Sequence, residues 1–266
     1  MSEVDHSIPA TGFSAIRDGR VLRITITNPR RKNAIDYDTM VALGDTFLAA
    51  ADDTSVRAIV LTGAGADFCT GADLSTADAD LRRGITPEVT MDAANRLVRA
   101  IVDAPVPVVA RIRGAAAGIG VALALAADLS YASDEAYLLL AFINIGLMPD
   151  GGAAAMIAAA AGRTVAAEMA LLGERMPVTE AARRGILTAA LPVEELDARV
   201  AAVAAKLGAG PRRALELTKR ALDRAALAAL DTALADEKNG QTELLRTPDF
   251  AEGASAMLQK RSAVFD

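Results

Sequence analysis

An α/β fold is predicted by the order of apolar patterns along this chain of 266 residues. Short β-branched runs alternate with helical segments as far as Pro149, and glycine-rich loops directly follow two of these runs. Beyond Pro149 almost every segment favours helix. Alternating strands and helices are typical of a sheet covered by helices. We therefore predict an α/β core followed by a helical C-terminal region.

The predicted strands are short runs rich in Val, Ile and Leu, bounded by turns or glycines. The first run alternates and turns at Asp18-Gly19, which predicts a hairpin. Strands are expected at residues 13–26 (the hairpin), 57–62, 108–112, 129–132 and 136–140. The runs at 57–62 and 108–112 are predicted to be buried, because they contain few polar residues.

The predicted helices depend on alanine for packing, because aromatic residues make up only 3% of the chain. Early helices are expected at 38–51, at 93–102 and along the Ala-rich stretch that ends at Ala127. Later helices are expected at 153–161, 164–172, 179–184, 196–207, 211–227, 229–246 and 248–260. We divide the chain into a core domain, residues 1–200, and a helical region, residues 201–266, of a kind that often packs on another subunit.

The composition excludes several classes of protein. Hydrophobic residues make up 52% of the chain and charged residues 23%, as in a globular protein. A net charge of −6 argues against a nucleic-acid surface, and an anionic ligand would need a local basic cluster. The longest apolar stretch, residues 114–127, is too short to span a membrane, and Met1–Ala10 lacks the apolar core of a signal peptide. We expect a cytoplasmic protein with no membrane partner.

Histidine and cysteine are nearly absent. The single histidine, His6, lies in the N-terminal tail, so Ser-His and Cys-His catalysis lack a base and a multi-histidine zinc site is excluded. The single cysteine, Cys69, cannot form an intrachain disulfide, which agrees with a reducing compartment. Nothing nearby would activate its thiol, so we predict a small buried side chain.

Two glycine-rich loops, residues 63–74 and 113–121, each follow a predicted strand and precede a predicted helix. Glycines at such junctions let backbone N–H groups approach a ligand closely, although ordinary tight turns have the same composition. The glycine spacing does not match the dinucleotide-binding pattern.

Together the motifs resemble the crotonase (enoyl-CoA hydratase/isomerase) superfamily over nearly the whole chain. They occur in the expected order as ITITNP at 24–29, KNAI at 32–35, FCTGADL at 68–74, the small-residue stretch at 114–128 and IGLMPDGG at 145–152. A looser match continues at 259–265. The resemblance implies a spiral of strand-strand-helix units with a helical C-terminal trimerisation region. It also implies a homotrimer or a dimer of trimers.

The resemblance implies that the ligand is an acyl-coenzyme A thioester, with no metal or redox cofactor. The adenine would lie near Thr70-Gly71-Ala72-Asp73-Leu74, with Ala34 and Gly118 in the same binding region. Arg30, Arg31 and Lys32 are candidates for the phosphates, although a solvated basic turn has the same sequence. Lys260 and Phe265 resemble C-terminal residues that can touch a neighbour's ligand, although ordinary packing explains them as well.

The implied oxyanion hole consists of the backbone N–H groups of Ala72 and Ile119. Removing a proton beside a thioester carbonyl moves charge onto oxygen, and fixed donors aimed at that oxygen lower the barrier. Ile119 stands where many members of the superfamily carry Gly, which narrows the pocket.

Both glutamates of a hydratase in this superfamily are missing, because Ala122 and Phe142 stand at their positions. Asp150 remains, in the segment where some isomerases place a catalytic acid. One carboxylate suffices to move a double bond from 3-enoyl to 2-enoyl, and burial near Phe142, Leu147 and Met148 would raise its pKa. Asp150 also suits a helix N-cap.

The preferred hypothesis is therefore an enoyl-CoA isomerase of fatty-acid or related acyl-CoA metabolism. A hydratase with rearranged acids and a non-catalytic acyl-CoA-binding protein are the alternatives.

Overall fold

The computed structural model describes residues 12–265, and within them nine strands and eleven α-helices. The strands are β1 (Phe13–Asp18), β2 (Val21–Ile26), β3 (Ala58–Gly63), β4 (Val108–Ile112), β5 (Ala115–Ala117), β6 (Leu129–Ser133), β7 (Tyr137–Leu139), β8 (Arg175–Pro177) and β9 (Ala189–Leu191). The helices are α1 (Tyr37–Asp52), α2 (Ala77–Arg82), α3 (Pro87–Val102), α4 (Ile119–Ala126), α5 (Ala153–Ala161), α6 (Arg163–Leu172), α7 (Val178–Arg183), α8 (Val193–Ala209), α9 (Arg212–Ala226), α10 (Leu230–Leu244) and α11 (Pro248–Gln259).

Two sheets form the centre of the fold. The larger has the order β1-β2-β3-β4-β6-β9, in which only the β1–β2 pair is antiparallel. The smaller has the order β5-β7-β8, with β5 parallel to β7. Every residue of β3 is buried, as expected for a central parallel strand covered on both faces.

The two faces of the larger sheet have separate cores. Ile59 and Leu61 of β3 belong to the main core, which α1, α3 and α4 also line. Val60, which points the other way, packs with Leu196 and Val200 of α8. This alternation follows from the two-residue period of a strand. The main core extends to Leu230 and Leu234 of α10, so the C-terminal region packs directly on the core.

The predicted α/β order is confirmed, with differences at short or weakly patterned elements. The predicted hairpin forms, with its two-residue turn at Gly19-Arg20, one position later than the predicted Asp18-Gly19. Helix α3 begins at Pro87, earlier than the predicted residue 93, and α2 precedes it. Strands β5, β8 and β9 were missed because three-residue strands show no period in a sequence and depend on a partner.

Four helices, α8 to α11, make up most of the described part of residues 201–266, as predicted, and the division at residue 200 stays a prediction. The prediction about Met1–Ala10 and His6 concerns residues outside the described range. Within residues 12–265 no helix is both long enough and apolar enough to cross a membrane.

Candidate active site

The loop before α1 is organised by Asn33, a fully buried side chain. Its Nδ2 donates to the carbonyl oxygens of Ala64 and Asp67 at 2.8 and 2.7 Å, and its Oδ1 accepts the Asn28 N–H at 3.0 Å. These bonds hold residues 28–34 against the first glycine-rich loop. Asn33 has a φ of 59°, a left-handed conformation that asparagine tolerates better than most residues.

Residues 69–73 run as an extended segment between two others. On one side the Ile35 N–H donates to Gly71 O at 2.9 Å, and the Asp73 N–H donates to Ile35 O at 2.8 Å. On the other side the Ala117 N–H donates to Cys69 O at 2.9 Å. In a trans peptide the C=O of one residue and the N–H of the next point in opposite directions. Because the Gly71 C=O faces Ile35, the Ala72 N–H points away from Ile35.

The two glycine-rich loops touch through their backbones. Gly71 and Gly118 have φ values of 109° and 55°, which L side chains rarely adopt. A Cβ placed on Gly71 would lie 3.3 Å from Ala117 O, and one on Gly120 would lie 2.1 Å from Cys69 O. The N-terminus of α4 thus sits directly on the 69–73 segment.

The amides of Ala72 and Ile119 follow the two touching glycines. Ile119 begins α4, so its N–H has no partner inside the helix. Among residues 12–265, neither N–H donates a hydrogen bond within the protein. Ala72 is exposed, and the start of a helix adds partial positive charge beside it. Two free donors thus lie on adjoining backbone segments.

Apolar groups surround this junction. Phe142, which is 8% exposed, reaches close to Gly118, where a Cβ would lie 3.8 Å from its Cζ. Gly151 packs against α4, and a Cβ placed there would lie 2.9 Å from the Ala122 methyl and 3.4 Å from Cγ1 of Ile119. The positions of both missing glutamates are therefore filled by hydrocarbon, and the turn that carries Asp150 lies beside Ile119.

The two carboxyl oxygens of Asp150 differ in their hydrogen bonding. Its Oδ2 accepts a 3.0 Å hydrogen bond from Nε2 of Gln241 on α10. Its Oδ1 is shielded from solvent and has no partner among the described residues. Burial raises the pKa of Asp150 to about 6, although the bond from Gln241 opposes that rise. The raised pKa agrees with the sequence prediction.

The helix-cap interpretation of Asp150 is not supported, because Gly152 occupies the N-cap of α5 and no side chain caps that helix. A second buried acid lies nearby. Oε2 of Glu237 accepts the Gly152 N–H at 2.7 Å, and burial raises the pKa of Glu237 to about 7.

Thr70 connects the basic loop to the site. Its hydroxyl lies 3.1 Å from the carbonyl oxygens of both Arg31 and Lys32. Arg30, Arg31 and Lys32 are exposed, and within residues 12–265 none forms an ion pair. The structure thus places an unpaired basic cluster next to the 69–73 segment.

The remaining predicted site residues lie in two places: beside the glycine-rich loops and at the C-terminal end of the described chain. Ala34 is buried beside Asn33, and Leu74 begins a short 3-10 helix, Leu74–Thr76. Asp73 caps that helix by accepting the Ser75 N–H at 3.0 Å, so its carboxylate is committed to structure. Lys260 and Phe265 are exposed at the C-terminal end.

Cys69 is fully buried, and burial raises the pKa of its thiol to about 12, which agrees with an inert side chain. A cavity of about 480 Å³ opens elsewhere, between α3 and α9, and its lining mixes acidic residues such as Asp223 with basic ones such as Arg220. Its position does not coincide with the glycine junction. The contacts around Gly71, Gly118 and Asp150, rather than cavity size, therefore identify the candidate site.

Sequence reasoning missed three residues of this site: Asn33, Glu237 and Gln241. Asn33 lies inside the quoted KNAI motif but received no role. Glu237 and Gln241 lie one turn apart in α10, which the sequence predicts only as a helix of the C-terminal region. The polar face they form within an otherwise apolar contact region is the only signal they leave in the sequence.

Comparison with solved structures supports the predicted architecture. The crystal structure of an enoyl-CoA hydratase from Mycobacterium avium subsp. paratuberculosis K-10 superimposes with a TM-score of 0.90 and 42% identity, covering 97% of this chain and all of that one. The fold is crotonase-like, as the sequence predicted.

Sequence comparisons point the same way. This chain is 34% identical over 248 residues to 1,2-epoxyphenylacetyl-CoA isomerase of Escherichia coli (strain K12), covering 92% of this chain and 94% of that protein. It is 32% identical over 250 residues to 2,3-dehydroadipyl-CoA hydratase of the same organism, covering 94% and 96%. The enoyl-CoA hydratase/isomerase family model matches residues 17–266. The chain belongs to the enoyl-CoA hydratase/isomerase family.

Proposed function

We propose that this protein is an enoyl-CoA isomerase that moves a double bond from the 3 to the 2 position of an acyl-coenzyme A thioester. The observation that carries the proposal is the unpartnered Oδ1 of Asp150, on a turn that packs beside Ile119. A turn that carries a shielded, unpartnered carboxyl oxygen thus packs against Ile119, the residue that supplies one of the two free amides. This arrangement suits a reaction that needs one proton carrier and one oxyanion site.

The proposed reaction has two proton transfers. Asp150 Oδ1 takes a proton from C2 of the 3-enoyl thioester, and the electron pair moves into a dienolate. The negative charge on the thioester oxygen is stabilised by the N–H groups of Ala72 and Ile119. Asp150 then returns the proton to C4, which gives the 2-enoyl thioester and restores the carboxylate. Atoms and charge balance without another reactant.

Charge placement supports binding of coenzyme A at the same site. The chain carries a net charge of −6, so a polyanionic ligand is repelled unless basic groups attract it locally. Arg30, Arg31 and Lys32 are such a group, and Thr70 ties their loop to the segment that carries Ala72. We propose that these side chains bind the phosphates and that the ligand needs no metal or redox cofactor.

Isomerisation is favoured over hydration by the residues around the site. A hydratase must activate and orient a water molecule, whereas Ala122 is completely buried and Phe142 is 8% exposed. Neither side chain has a polar atom that can hold water. The relative named 1,2-epoxyphenylacetyl-CoA isomerase also supports isomer formation on a thioester.

The decisive experiment compares a 3-enoyl-CoA and crotonyl-CoA as substrates for the wild type and for Asp150→Asn. We expect isomerisation of the 3-enoyl thioester, no water addition to crotonyl-CoA, and about 10³-fold lower kcat in Asp150→Asn with thioester binding retained. Asp134→Asn, which changes an exposed aspartate, is the matched control. Unchanged kcat in Asp150→Asn would rule out the proposed role.

A non-catalytic acyl-CoA-binding protein is the second candidate, because both hydratase acids are absent. It predicts tight thioester binding with no turnover of either substrate. Water addition to crotonyl-CoA would instead support a hydratase with rearranged acids. The trimeric assembly, the cytoplasmic location and a role in fatty-acid metabolism stay predictions.

A further inference from the structure

Helix α10 presents two buried polar side chains to the turn that carries Asp150. Gln241 is 2% exposed and Glu237 is 6% exposed. They lie four positions apart, and therefore on one face of the helix. Burying a polar side chain costs free energy unless it forms hydrogen bonds. Two buried polar side chains on one face of α10 therefore indicate specific hydrogen-bond partners on the element that packs against that face.

Both ends of the Gln241 amide are engaged. Its Oε1 accepts the Met148 N–H at 3.3 Å, and its Nε2 donates to Asp150 Oδ2 at 3.0 Å. The first bond fixes which end of the amide faces the backbone, because only the oxygen can accept from an N–H. The nitrogen is consequently directed at the carboxyl group.

Glu237 fixes the other end of the same turn. Its Oε2 accepts the Gly152 N–H at 2.7 Å, so residues 148–152 are held by two side chains of one helix. On the α4 side, a Cβ on Gly151 would meet the apolar groups of Ala122, Ile119 and Val98. On the α10 side, Glu237 is a titratable neighbour that interacts electrostatically with Asp150, and Asp236 of the same helix interacts with Glu237.

We infer that Gln241 is a positioning residue for the proton carrier: by occupying Oδ2 of Asp150 it leaves Oδ1 as the oxygen that meets the substrate. This inference rests on the proposed function of Asp150. The bond also favours the charged carboxylate, because an N–H donor stabilises the ionised form more than the neutral one. Gln241 therefore affects both where the base points and the pH at which it is ionised.

The test compares Gln241→Leu with Thr242→Val in the wild-type background. Thr242 is the matched control, since it is also buried on α10 but donates only to Asn239 O of its own helix. For Gln241→Leu we expect kcat to fall about 10- to 100-fold with KM changed less than about threefold. The acid limb of the pH profile should move to higher pH. Thr242→Val should leave both within about twofold of wild type.

A separate readout keeps this inference distinct from the proposed function. Titration of the Asp150 carboxyl by ¹³C NMR, without substrate, measures its pKa in the wild type and in Gln241→Leu. A higher pKa of Asp150 in Gln241→Leu than in the wild type would support the hydrogen bond from Gln241, whether or not the wild type turns over a thioester. Absence of turnover in the wild type would refute only the isomerase proposal. An unchanged pKa, or kinetics like those of Thr242→Val, would overturn the inference.

Discussion

The backbone of Gly118 lies against that of Gly71, and a Cβ placed on Gly118 would be 3.4 Å from the Gly71 Cα. This contact brings the start of α4 onto the segment that carries Ala72. Because both glycines have positive φ, no other residue would hold either backbone in this shape without strain. The spacing between the free amides of Ala72 and Ile119 therefore depends on residues 71 and 118 both being glycine.

Replacing Gly118 with Ala tests that dependence. The substituted residue would be strained at a φ of 55° and a ψ of −132°, and relaxing that strain would turn the N–H of residue 119 away from its present direction. Losing one oxyanion donor typically lowers kcat about 10²- to 10³-fold. We expect a loss of this size in a steady-state isomerase assay.

Gly65→Ala is the matched control for Gly118→Ala. Gly65 also has a positive φ, 70°, but a Cβ there would meet nothing within 4 Å. It should cost about 1–2 kcal/mol in unfolding free energy, with kcat nearly unchanged. Equal loss of kcat in both variants would mean that backbone strain, and not the amide position, determines activity.

The pH dependence of kcat/KM should follow Asp150. In the proposed reaction Asp150 acts as a carboxylate, and its pKa is raised to about 6, so activity should fall as the pH drops below that value. The decrease should approach tenfold per pH unit. Initial rates measured with a 3-enoyl-CoA between about pH 4.5 and pH 8 would show this decrease on the acid side of the pH profile. A profile that stays flat through this range would argue against a raised pKa for the catalytic group.

Stability should depend on pH through Glu237. Its pKa is raised to about 7 in the folded protein from the ordinary value of 4.5, so the folded state holds the proton more tightly than the unfolded state. The free energy of unfolding therefore falls as the pH rises from about 4.5 through 7. Glu237→Gln keeps an oxygen for the Gly152 N–H and removes this titration.

Glu237→Gln should accordingly flatten the pH dependence of unfolding by about 1–3 kcal/mol, measured by urea denaturation at about pH 5 and pH 8. The comparison is made between the two slopes, so a constant change in stability cancels. Parallel slopes for variant and wild type would show that Glu237 does not titrate in this range.

Asn33 should contribute strongly to stability by holding residues 28–34 against the first glycine-rich loop. Asn33→Ala would remove three hydrogen bonds and leave two partly buried carbonyl oxygens, those of Ala64 and Asp67, without this donor, at a cost of about 1–3 kcal/mol for each unsatisfied group. Asn144→Ala is the control, because Asn144 is exposed and makes one bond, to Gly173 O at 2.8 Å. Urea denaturation should show a cost of at least about 2 kcal/mol for Asn33→Ala and under about 1 kcal/mol for Asn144→Ala. Similar costs would contradict this assignment.

The basic cluster should control affinity for coenzyme A in a salt-dependent way. Replacing Arg30, Arg31 and Lys32 with Ala should weaken binding about tenfold at low ionic strength, with less effect at high ionic strength because salt screens exposed charges. Isothermal titration with free coenzyme A measures this directly. Lys206→Ala removes an exposed charge from α8 and should change little. A similar loss of affinity in Lys206→Ala would indicate a general charge effect.

Much of the fold was predictable because its signals are local. A hydrophobic period, or a glycine or proline that ends an element, marks each of the predicted elements in the sequence. Examples are the hairpin signal at Asp18-Gly19, the buried run of β3 and the helices after Pro149. The order of motifs supplied the architecture. Strands β5, β8 and β9 were not predictable, since three residues become a strand only through a neighbour.

The candidate site was predictable only in part, for the same reason. Ala72, Ile119 and Asp150 stand in motifs, whereas Gln241 meets Asp150 across 91 positions of sequence. No local pattern encodes a contact of that range. Asp150 itself admitted two interpretations, and only the contact with Gln241 and the free N-cap of α5 separate them.

The separation of 91 positions between Asp150 and Gln241 affects how the protein folds during synthesis. A nascent chain that has emerged only as far as Gly210 already contains the paired glycines and Asp150, but α10 is still being synthesised. Until that helix docks, Oδ2 of Asp150 lacks its hydrogen-bond donor Gln241, and the apolar surface that Leu230 and Leu234 cover is open to water. The proposed proton carrier therefore reaches its final orientation only after α10 has been synthesised and has docked.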